Sequence, residues 1–318
     1  MSAPPHVRSE RDGPGAEVPG GGGPRVVVCG SAVMDFVFHL DAMPRKAEKH
    51  RARDAHVSGG GNAGNAAVAV ARLGGEVHIA ARLGDDAVAD MIVEGLKREG
   101  VGTALVRRME GCRSAFSSVF VDAQGERQIV GFRDPDLPPR AGWLQAALPA
   151  RFDAALADTR WPEGALAMML AARTIGVPGV IDAEAPVRIA DEALAQASHV
   201  AFSAQGLRDW AGHDDLQRGL AEADTALPGI ALVTDGPHGT FWREGGEVHH
   251  APARAVTPVD TLAAGDVWHG AFALDLARGL PLRAAVERAN AAATLKCTRR
   301  GGREGAPTAA ELDRWMAP

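Results

Sequence analysis

The stretch Val259 to Gly279, VDTLAAGDVWHGAFALDLARG, decides how the rest of the sequence is interpreted. Its second half carries the apolar period of a helix, and Asp260 to Asp266 form the turn that leads the chain into it. The first N–H groups of a helix have no partners within it and carry a partial positive charge, so they attract anions. The donors expected here are those of Ala263, Ala264, Gly265 and Asp266.

Asp266 would lie beside this anion site, where its carboxylate can accept the proton of an attacking hydroxyl group during phosphoryl transfer. A second interpretation is purely structural, because Asp is a favoured residue at the N-terminal cap of a helix. The motif alone leaves both interpretations open.

Length and composition are those of an ordinary globular protein. The chain has 318 residues, enough for one large α/β domain or two ordinary ones, and contains 46 % hydrophobic and 23 % charged residues. A net charge of −6 argues against a nucleic-acid partner, and no window approaches the ~18 apolar residues of a membrane span. The three cysteines are far apart, which argues against a disulfide framework or a CxxC metal site and favours a reduced, cytoplasmic protein.

The order of apolar and helical segments predicts the fold class. Residues 1–24 are rich in glycine and proline and are expected to form a disordered tail. From Arg25 onward, short apolar runs such as RVVVCG, PGVIDAE, HVAFSA and IALVTDG are separated by helical stretches. This alternation predicts one Rossmann-like α/β domain over residues 25–318, with a mainly parallel sheet and helices on both faces.

Two segments, residues 36–58 and 113–136, interrupt this alternation. The second contains SAFSSVFVDAQGERQIVGF, which alternates like a pair of strands around the turn DAQGE. We expect the two segments to form a small sheet that acts as a lid. A lid would lie over the carboxyl ends of the parallel strands, where ligands bind in open α/β sheets.

A glycine-rich motif, SGGGNAGNAAVAVARLGG, spans residues 58–75. Its glycines permit close approach of the backbone, and Asn62 and Asn65 can donate and accept hydrogen bonds toward a polyhydroxyl ligand. The motif has neither the Walker lysine nor the GxGxxG spacing, so by itself it does not identify a nucleotide site.

In this order and at this separation, the two motifs resemble the two signatures of the PfkB, or ribokinase-like, family of carbohydrate kinases. The resemblance runs from about Arg25 to Pro307 and includes VTDGPHG and CTRRGGREGAP. It implies a ribokinase-like fold, ATP as the phosphoryl donor, Mg²⁺, and a small sugar as the acceptor. A monovalent cation such as K⁺ near the second signature and a homodimer formed through the lid are further features of many members.

The resemblance also implies roles for individual residues. Asp266 would be the catalytic base, and Ala263, Ala264 and Gly265 would form the anion hole. The residues implied to contact the sugar are Asp35, Gly60, Gly61 and Asn65. The residues implied to lie near the nucleotide are Thr234, Gly236 and Asn290. No residue is assigned to the metal.

Two positions depart from the family pattern. Ala263 stands where glycine is usual; at a positive φ an alanine would cost about 1 kcal/mol, but in an ordinary helical conformation nothing. The N-x-x-E motif, which the family associates with the metal and the phosphates, falls where Ser203 and Gly206 stand. These departures motivate a rival hypothesis, a sugar or nucleotide sensor with little turnover, although Asp266 favours an enzyme.

Segments around Arg160 and near the C-terminus narrow the expected acceptor. LADTRWPEGA and LKCTRRGGREGAP resemble family members that convert 6-deoxy-6-sulfofructose to its 1-phosphate. That resemblance implies that Lys49 and Arg160 hold the sulfonate, while Gly131 replaces an asparagine. Lys49 could equally be a solvated loop residue, and Arg160 could pair with Asp158 or Glu163. Fructose, ribose, tagatose 6-phosphate and nucleosides are the alternative acceptors.

Overall fold

The structure is a computed structural model that describes residues 22–317. Residues 1–21 of the predicted disordered tail therefore lie outside the described residues. The first strand begins at Arg25, where the sequence predicts the domain to open. Within the described part of the chain, no helix is both long and apolar enough to cross a membrane.

Thirteen strands are present within residues 22–317. They are β1 Arg25–Cys29, β2 Val33–His39, β3 Asp54–Gly60, β4 Glu76–Gly84, β5 Val106–Met109, β6 Phe116–Val121, β7 Arg127–Phe132, β8 Ala154–Asp158, β9 Gly179–Ala183, β10 His199–Ser203, β11 Ile230–Thr234, β12 Thr240–Glu244 and β13 Glu247–Ala251.

Ten α-helices connect or follow these strands within the same residues. They are α1 Asn62–Arg72, α2 Ala87–Arg98, α3 Leu144–Ala147, α4 Pro162–Ile175, α5 Asp191–Leu194, α6 Ala204–Ala211, α7 Leu216–Ala226, α8 Ala264–Ala277, α9 Leu282–Cys297 and α10 Ala309–Met316. Single 3₁₀ turns are formed by Arg188–Ala190, Gly236–His238 and Arg303–Gly305.

Nine strands form the central sheet in the order β13-β12-β11-β10-β9-β8-β1-β4-β5. The strands from β11 to β5 pair in parallel, whereas β12 and β13 form an antiparallel hairpin at one edge. The predicted α/β class is therefore confirmed: a mainly parallel sheet with helices on both faces. Parallel strands place all of their carboxyl ends at one edge of the sheet, which is where the pocket lies.

The core consists of two apolar layers, one on each face of the central sheet. Strand β1 shows how the sequence builds both, because successive side chains of a strand point to opposite faces. Val26 and Val28 pack into the layer that includes residues of α1, α8 and α9. Val27 and Cys29 pack into the layer that includes residues of α4 and α7. All four side chains are fully buried, which explains why β1 reads as a continuous apolar run.

The remaining strands form the small sheet expected as a lid, in the order β3-β2-β6-β7. Strands β6 and β7 are the predicted hairpin, with Val121 paired to Arg127 across the turn. The first lid segment is longer than the predicted range 36–58, because pairing between β2 and β3 extends to Val33 and Gly60. Residues between His39 and Asp54 form a loop that joins these two strands.

Candidate active site

A pocket of about 430 Å³ lies at the carboxyl ends of the parallel strands, between the start of α8 and the lid. Many of the residues that line it are predicted site residues from the two sequence motifs, from the first lid strand and from the end of β11. These are Asp35, Gly61, Asn65, Thr234, Ala263, Ala264, Gly265 and Asp266. The structure thus gathers residues separated by more than two hundred positions into one cleft.

The N-terminus of α8 forms the floor of this pocket. Ala263 is its N-cap residue, with φ 62° and ψ 12°, and is the non-glycine residue with a positive φ among residues 22–317. The N–H of Ala264 donates to the carbonyl of Thr261 at 3.2 Å, so it is already engaged in a turn. The N–H groups of Ala263, Gly265 and Asp266 have no acceptor among the described residues. The anion hole implied for residues 263–265 is therefore corrected at Ala264, whereas Ala263, Gly265 and Asp266, three of the four donors expected from the sequence, are open within the described part of the chain.

Asp266 does not cap this helix, so the structural interpretation of its carboxylate is wrong. It lies in the first turn of α8, and the N-cap Ala263 has no side-chain cap. Asn65 donates from Nδ2 to Oδ2 of Asp266 at 2.7 Å, which fixes the carboxylate against the pocket wall. Burial, followed by the negative charge of Asp182, raises the pKa of Asp266 well above its usual range. A carboxyl group with a raised pKa is suited to accept a proton near neutral pH.

Asn65 connects the glycine-rich motif to this carboxylate. Its side chain lies on α1, is 7 % exposed, and lines the pocket. Its Oδ1 is buried and has no hydrogen-bond partner among the described residues. An unpartnered acceptor at this position can receive the hydroxyl group of a bound ligand, which would remove the cost of leaving it unsatisfied.

The glycines before α1 keep space open for the site. A Cβ atom on Gly60 would lie 2.3 Å from Oδ2 of Asp35, so a side chain there would displace that carboxylate. Gly61 has φ 86°, and its Cβ would lie 2.5 Å from the carbonyl oxygen of Ser31. Gly60 therefore makes room for a pocket residue, whereas Gly61 is required by the turn itself.

Asp35 lies on β2 and reaches the pocket from the lid. It pairs in register with Ser58 on β3 and with Ser117 on β6, and Ser117 pairs with Gly131 on β7. Paired residues share one face of a sheet, so Gly131 is in the same row as Asp35. Burial raises the pKa of Asp35, although a hydrogen bond with Ser117 opposes this effect. The lid face that carries Asp35 is therefore polar, and Asp35 itself lines the pocket.

Two carboxylates of the pocket were missed at the sequence level. Asp182 and Glu184 stand at the end of β9, and the Nδ2 group of Asn62 donates to both, at 3.1 and 2.7 Å. Burial raises the pKa of Asp182, while the neighbouring His269 ring, 3.5 Å away, lowers it. The signal was present in PGVIDAE, because carboxylates at the carboxyl end of a parallel strand face the ligand edge of the sheet.

The altered N-x-x-E motif has a clear structural consequence. Ser203 lines the pocket, and its Oγ accepts a hydrogen bond from the N–H of Gly206 at 2.9 Å, which caps α6. A Cβ atom on Gly206 would lie only 1.9 Å from the carbonyl oxygen of Ala183. A glutamate therefore cannot stand at position 206 without movement of the backbone.

Asp182 and Glu184 fit a divalent cation better than the altered motif does. Mg²⁺ is usually held in kinases by one or two carboxylates together with substrate phosphates and water. The two carboxylates share one donor, Asn62, which brings their oxygens to the same part of the pocket. Carboxylate oxygens are the donors that Mg²⁺ prefers, so this pair satisfies the chemistry of such a site.

The two predicted sulfonate ligands are placed differently. Lys49 lies in the exposed loop between β2 and β3 and is not among the residues that line the pocket. Arg160 follows β8, and its Nη2 donates to Oε2 of Glu184 at 3.1 Å. The predicted ion pair of Arg160 with Asp158 or Glu163 is therefore corrected to a pair with Glu184. The Nε of Arg160 is buried without a partner among the described residues.

The residues expected near the nucleotide separate into two groups. Thr234, at the end of β11, lines the pocket, and Gly236 opens the short turn that follows it. Asn290 is 6 % exposed and is not among the lining residues. Its Oδ1 accepts from Thr240 and Trp268 at 2.7 and 2.8 Å, and its Nδ2 donates to Ala251 at 2.9 Å. The side chain of Asn290 is therefore committed to the fold, which corrects its assignment as a nucleotide contact.

A parallel α/β sheet with an anion-binding helix start, a buried carboxylate and a β-sheet lid defines a class of phosphoryl-transfer folds. Residues 24–309 match the model of the pfkB family carbohydrate kinases. The chain belongs to this family.

Several curated relatives span the same range. A ribokinase from Bacillus subtilis (strain 168) is 27 % identical over 296 residues, covering 92 % of this chain and 99 % of that protein. A fructokinase from Klebsiella pneumoniae is 30 % identical over 247 residues, covering 70 % of this chain and 78 % of that protein. These relatives act on different sugars by name, so the matches identify the family and not the acceptor.

Solved structures show the same fold. A crystal structure from Agrobacterium tumefaciens, provisionally described as a ribokinase, has a TM-score of 0.84 at 37 % identity and covers 92 % of this chain and 97 % of that one. Arabidopsis thaliana ribokinase complexed with ribose and ATP has a TM-score of 0.81 at 22 % identity, with 92 % and 98 % coverage. The second comparison supports the fold alone.

Proposed function

We propose that this kinase transfers the γ-phosphoryl group of ATP to a hydroxyl group of a small, uncharged sugar such as ribose or fructose. The observation that carries the proposal is the start of α8, where the carboxylate of Asp266 stands beside three N–H groups without acceptors among the described residues. One point in the pocket thus has both a proton acceptor and donors for a negatively charged oxygen.

Different residues of the pocket accept the proton, bind the phosphoryl group and orient the sugar. Asp266 takes the proton of the acceptor hydroxyl as its oxygen bonds to the γ-phosphorus, and the bond to the β–γ bridging oxygen breaks to release ADP. The N–H groups of Ala263, Gly265 and Asp266 hold the oxygens of the phosphoryl group in transfer. Asp35 and the Oδ1 of Asn65 hold other hydroxyl groups of the sugar, which orients the reacting one.

Asp182 and Glu184 would hold Mg²⁺ in this scheme. When bound, the ion would neutralise part of the charge on the phosphates. Thr234 also lines the pocket, and its hydroxyl group, which donates to the carbonyl of Phe202 at 3.3 Å, would have to turn to donate to the nucleotide phosphates. Asn62, which bridges the two carboxylates, keeps them oriented toward the pocket.

The charge of the pocket supports an uncharged acceptor. Four of its lining residues are carboxylates, namely Asp35, Asp182, Glu184 and Asp266. Arg127 is the one lysine or arginine in the described lining, and it pairs with Asp260 at 2.5 Å. An anionic sugar would meet these acidic groups, and the described lining has no uncommitted lysine or arginine side chain to bind it.

Sulfofructose is the second candidate, and one observation favours it. Arg160 is paired with the lining residue Glu184, and it has a side chain 17 % exposed and an Nε without a partner among the described residues. A sulfonate could engage this guanidinium if it competed with Glu184. Lys49 would have to move in from its exposed loop, and Gly131 supplies no side-chain donor.

An ADP-release screen tests the proposal. Ribose, fructose, sulfofructose, fructose 6-phosphate and adenosine are compared as acceptors at equal concentration, with Mg²⁺ and ATP. We expect ribose or fructose to give the highest kcat/KM, and Asp266→Asn to lower it by at least about 10³-fold. Asp224→Asn, on α7 and paired with Arg243, is the control that should leave turnover unchanged.

The same screen tests the alternative of a sensor. A sensor would bind ATP or a sugar, seen as a rise in melting temperature, without releasing ADP above the level of Asp266→Asn. We favour turnover because the N–H groups of Ala263, Gly265 and Asp266 are open among the described residues and a pure binder has no evident need for the carboxylate of Asp266 beside them. Equal rates for the unmodified protein and Asp266→Asn would contradict the assignment of the base.

We also propose that the lid mediates a homodimer. A row of paired residues crosses the lid sheet from Val57 through Phe36 and Ser118 to Val130. Val57 is 49 % and Val130 62 % exposed, although both are apolar. Light scattering after size exclusion should give twice the chain mass, and Val130→Glu should shift it toward the monomer.

A further inference from the structure

Lys296 is a buried lysine beside the second signature. It lies in the last turn of α9, and its side chain is 0 % exposed. A Cβ atom on Gly305 would lie 3.3 Å from its Cε, so the glycine there leaves the lysine enough room. A buried ammonium group is costly unless a partner compensates it, which makes its contacts informative.

The partner of Lys296 is Asp260, the first residue of the signature. Its Nζ donates to the carbonyl oxygen of Asp260 at 2.8 Å and lies 3.7 Å from Oδ2 of the same residue. The carbonyl oxygen of Cys297, next along α9, accepts from the N–H groups of Val259 and Asp260 at 2.8 and 3.2 Å. The end of α9 therefore fixes the beginning of the loop that leads to Ala263.

The carboxylate oxygens of Asp260 are also engaged. Oδ1 accepts from the N–H of Leu262 at 2.9 Å and from Nη2 of Arg127 at 2.5 Å, and Oδ2 accepts from the N–H of Gly301 at 3.1 Å. Burial opposes ionisation of Asp260, but the hydrogen bond from Leu262 and the charges of Lys296 and Arg127 outweigh it and lower its pKa. Every oxygen of this residue thus faces a donor or a cation of the protein.

A monovalent cation near this signature is a feature of many family members, and the residues present do not fit one. An ion needs several oxygen ligands with unused lone pairs. Here the oxygens of Asp260 are taken by N–H donors, and two fixed positive charges, Lys296 and Arg127, already stand beside the carboxylate. A third cation in contact with Asp260 would be repelled by both.

We propose that the ammonium group of Lys296 serves as a built-in cation, so that the kinase works without K⁺ or Na⁺. It fixes the carbonyl of Asp260 and with it the loop from Asp260 to the N–H donors at the start of α8. Lys296 is a positioning residue, because it acts on the anion hole through the loop and touches no reacting atom. The activity part of this inference rests on the proposed function, whereas its stability part does not.

The first experiment compares KCl with choline chloride at equal ionic strength, using the full chain. We expect kcat/KM of the unmodified protein to differ by less than about twofold between the two salts. Activation by K⁺ of more than about fivefold would overturn the proposal, whatever the variants show. Melting temperatures are measured in the same buffers and should not differ, so the result does not depend on finding the right sugar.

The second experiment removes the ammonium group. In choline chloride, kcat/KM of Lys296→Ala should be about 10²-fold below that of the unmodified protein. In KCl or NH₄Cl, kcat/KM of this variant should rise at least about tenfold above its value in choline chloride. Its melting temperature should also rise in KCl relative to choline chloride, a readout that a turnover defect cannot mask. Lys97→Ala, an exposed lysine on α2, is the matched control and should respond to neither salt.

The outcomes separate the two proposals. If no acceptor releases ADP, the proposed function fails, and the melting temperatures alone decide the role of Lys296. A K⁺-dependent rise in melting temperature confined to Lys296→Ala supports it. If KCl changes neither the rate nor the melting temperature of Lys296→Ala, or if Lys97→Ala behaves in the same way, the proposal is overturned.

Discussion

Replacing Ala263 with glycine should stabilise the protein, although glycine normally weakens the interior of a helix. At φ 62° an L-residue is strained by about 1–2 kcal/mol, and glycine removes that strain. Glycine also gives the unfolded chain more conformational freedom, which costs about 0.5–1 kcal/mol. The net expectation is a gain of about 0.5–1 kcal/mol, or about 1–3 °C in melting temperature for a chain of this size.

The matched control is the neighbouring residue. Ala264 opens α8 in an ordinary helical conformation, so Ala264→Gly loses the same chain entropy without relieving strain. It should destabilise the protein by about 0.5–1 kcal/mol. Urea unfolding of both variants measures the difference directly, from the shift of the unfolding midpoint when the dependence of the free energy of unfolding on urea is unchanged. The two substitutions should differ by about 1–2 kcal/mol, with opposite signs.

Equal destabilisation by both substitutions would refute the reasoning, because it would mean that position 263 carries no strain. The kinetic expectation is separate. Ala263→Gly keeps the N–H group in place, so kcat should change by less than about threefold. A rise in kcat of about tenfold or more would show that the alanine holds the anion hole in a less productive geometry.

Three further predictions concern the pocket and its support. In Asp182→Asn the pKa of Asp266 should fall, so the acid limb of kcat/KM should move to lower pH. In Asn65→Ala the carboxylate of Asp266 loses a hydrogen bond, so the acid limb should move to higher pH. Shifts of the acid limb in the same direction would contradict the assigned causes of the pKa of Asp266. Gly265→Ala should fold normally, since the added Cβ meets no protein atom within 4 Å. Its kcat should nevertheless fall at least about 10²-fold, because the methyl group would enter the pocket. An active variant would show that Gly265 does not contact the phosphoryl group. Asn290→Leu should lower stability by about 2–3 kcal/mol in urea unfolding, because it leaves buried polar groups unpaired, while KM for ATP should change less than about threefold. A large change in KM without loss of stability would support the assignment of Asn290 as a nucleotide contact.

The architecture was predictable because its signals are local. A strand buried on both faces needs a continuous apolar run, and the runs ending at Cys29, Ala183 and Thr234 became strands of one sheet. The lid hairpin was equally visible, since alternation on both sides of the turn DAQGE is typical of two paired strands. The extension of the lid to Val33 and Gly60 was not, because it depends on pairing between strands that are separated by a loop.

The site was only partly predictable, and the reason differs between residues. Asp266 and Asn65 belong to local motifs, but the bond between them joins positions 201 residues apart and depends on the packing of α1 against α8. The sequence indicates an exposed side chain at Lys296, because a lysine at the end of a helix is ordinarily exposed, but the structure buries it. Arg127 lies on a lid strand, and its pairing with Asp260 follows from how the lid sits over the pocket.

Glu184 connects metal binding with the choice of acceptor. It accepts hydrogen bonds from Asn62 and Arg160 through the same oxygen, Oε2, so its charge is shared between the pocket floor and the edge. A cation bound to Glu184 would compete with Arg160 for the carboxylate and would leave the guanidinium without an anionic partner. Binding of metal–nucleotide and binding of a sulfonated acceptor would then favour each other, whereas an uncharged sugar would gain nothing from the exchange. We therefore expect the preference among acceptors to depend on the Arg160–Glu184 pair as well as on the residues proposed to contact the sugar.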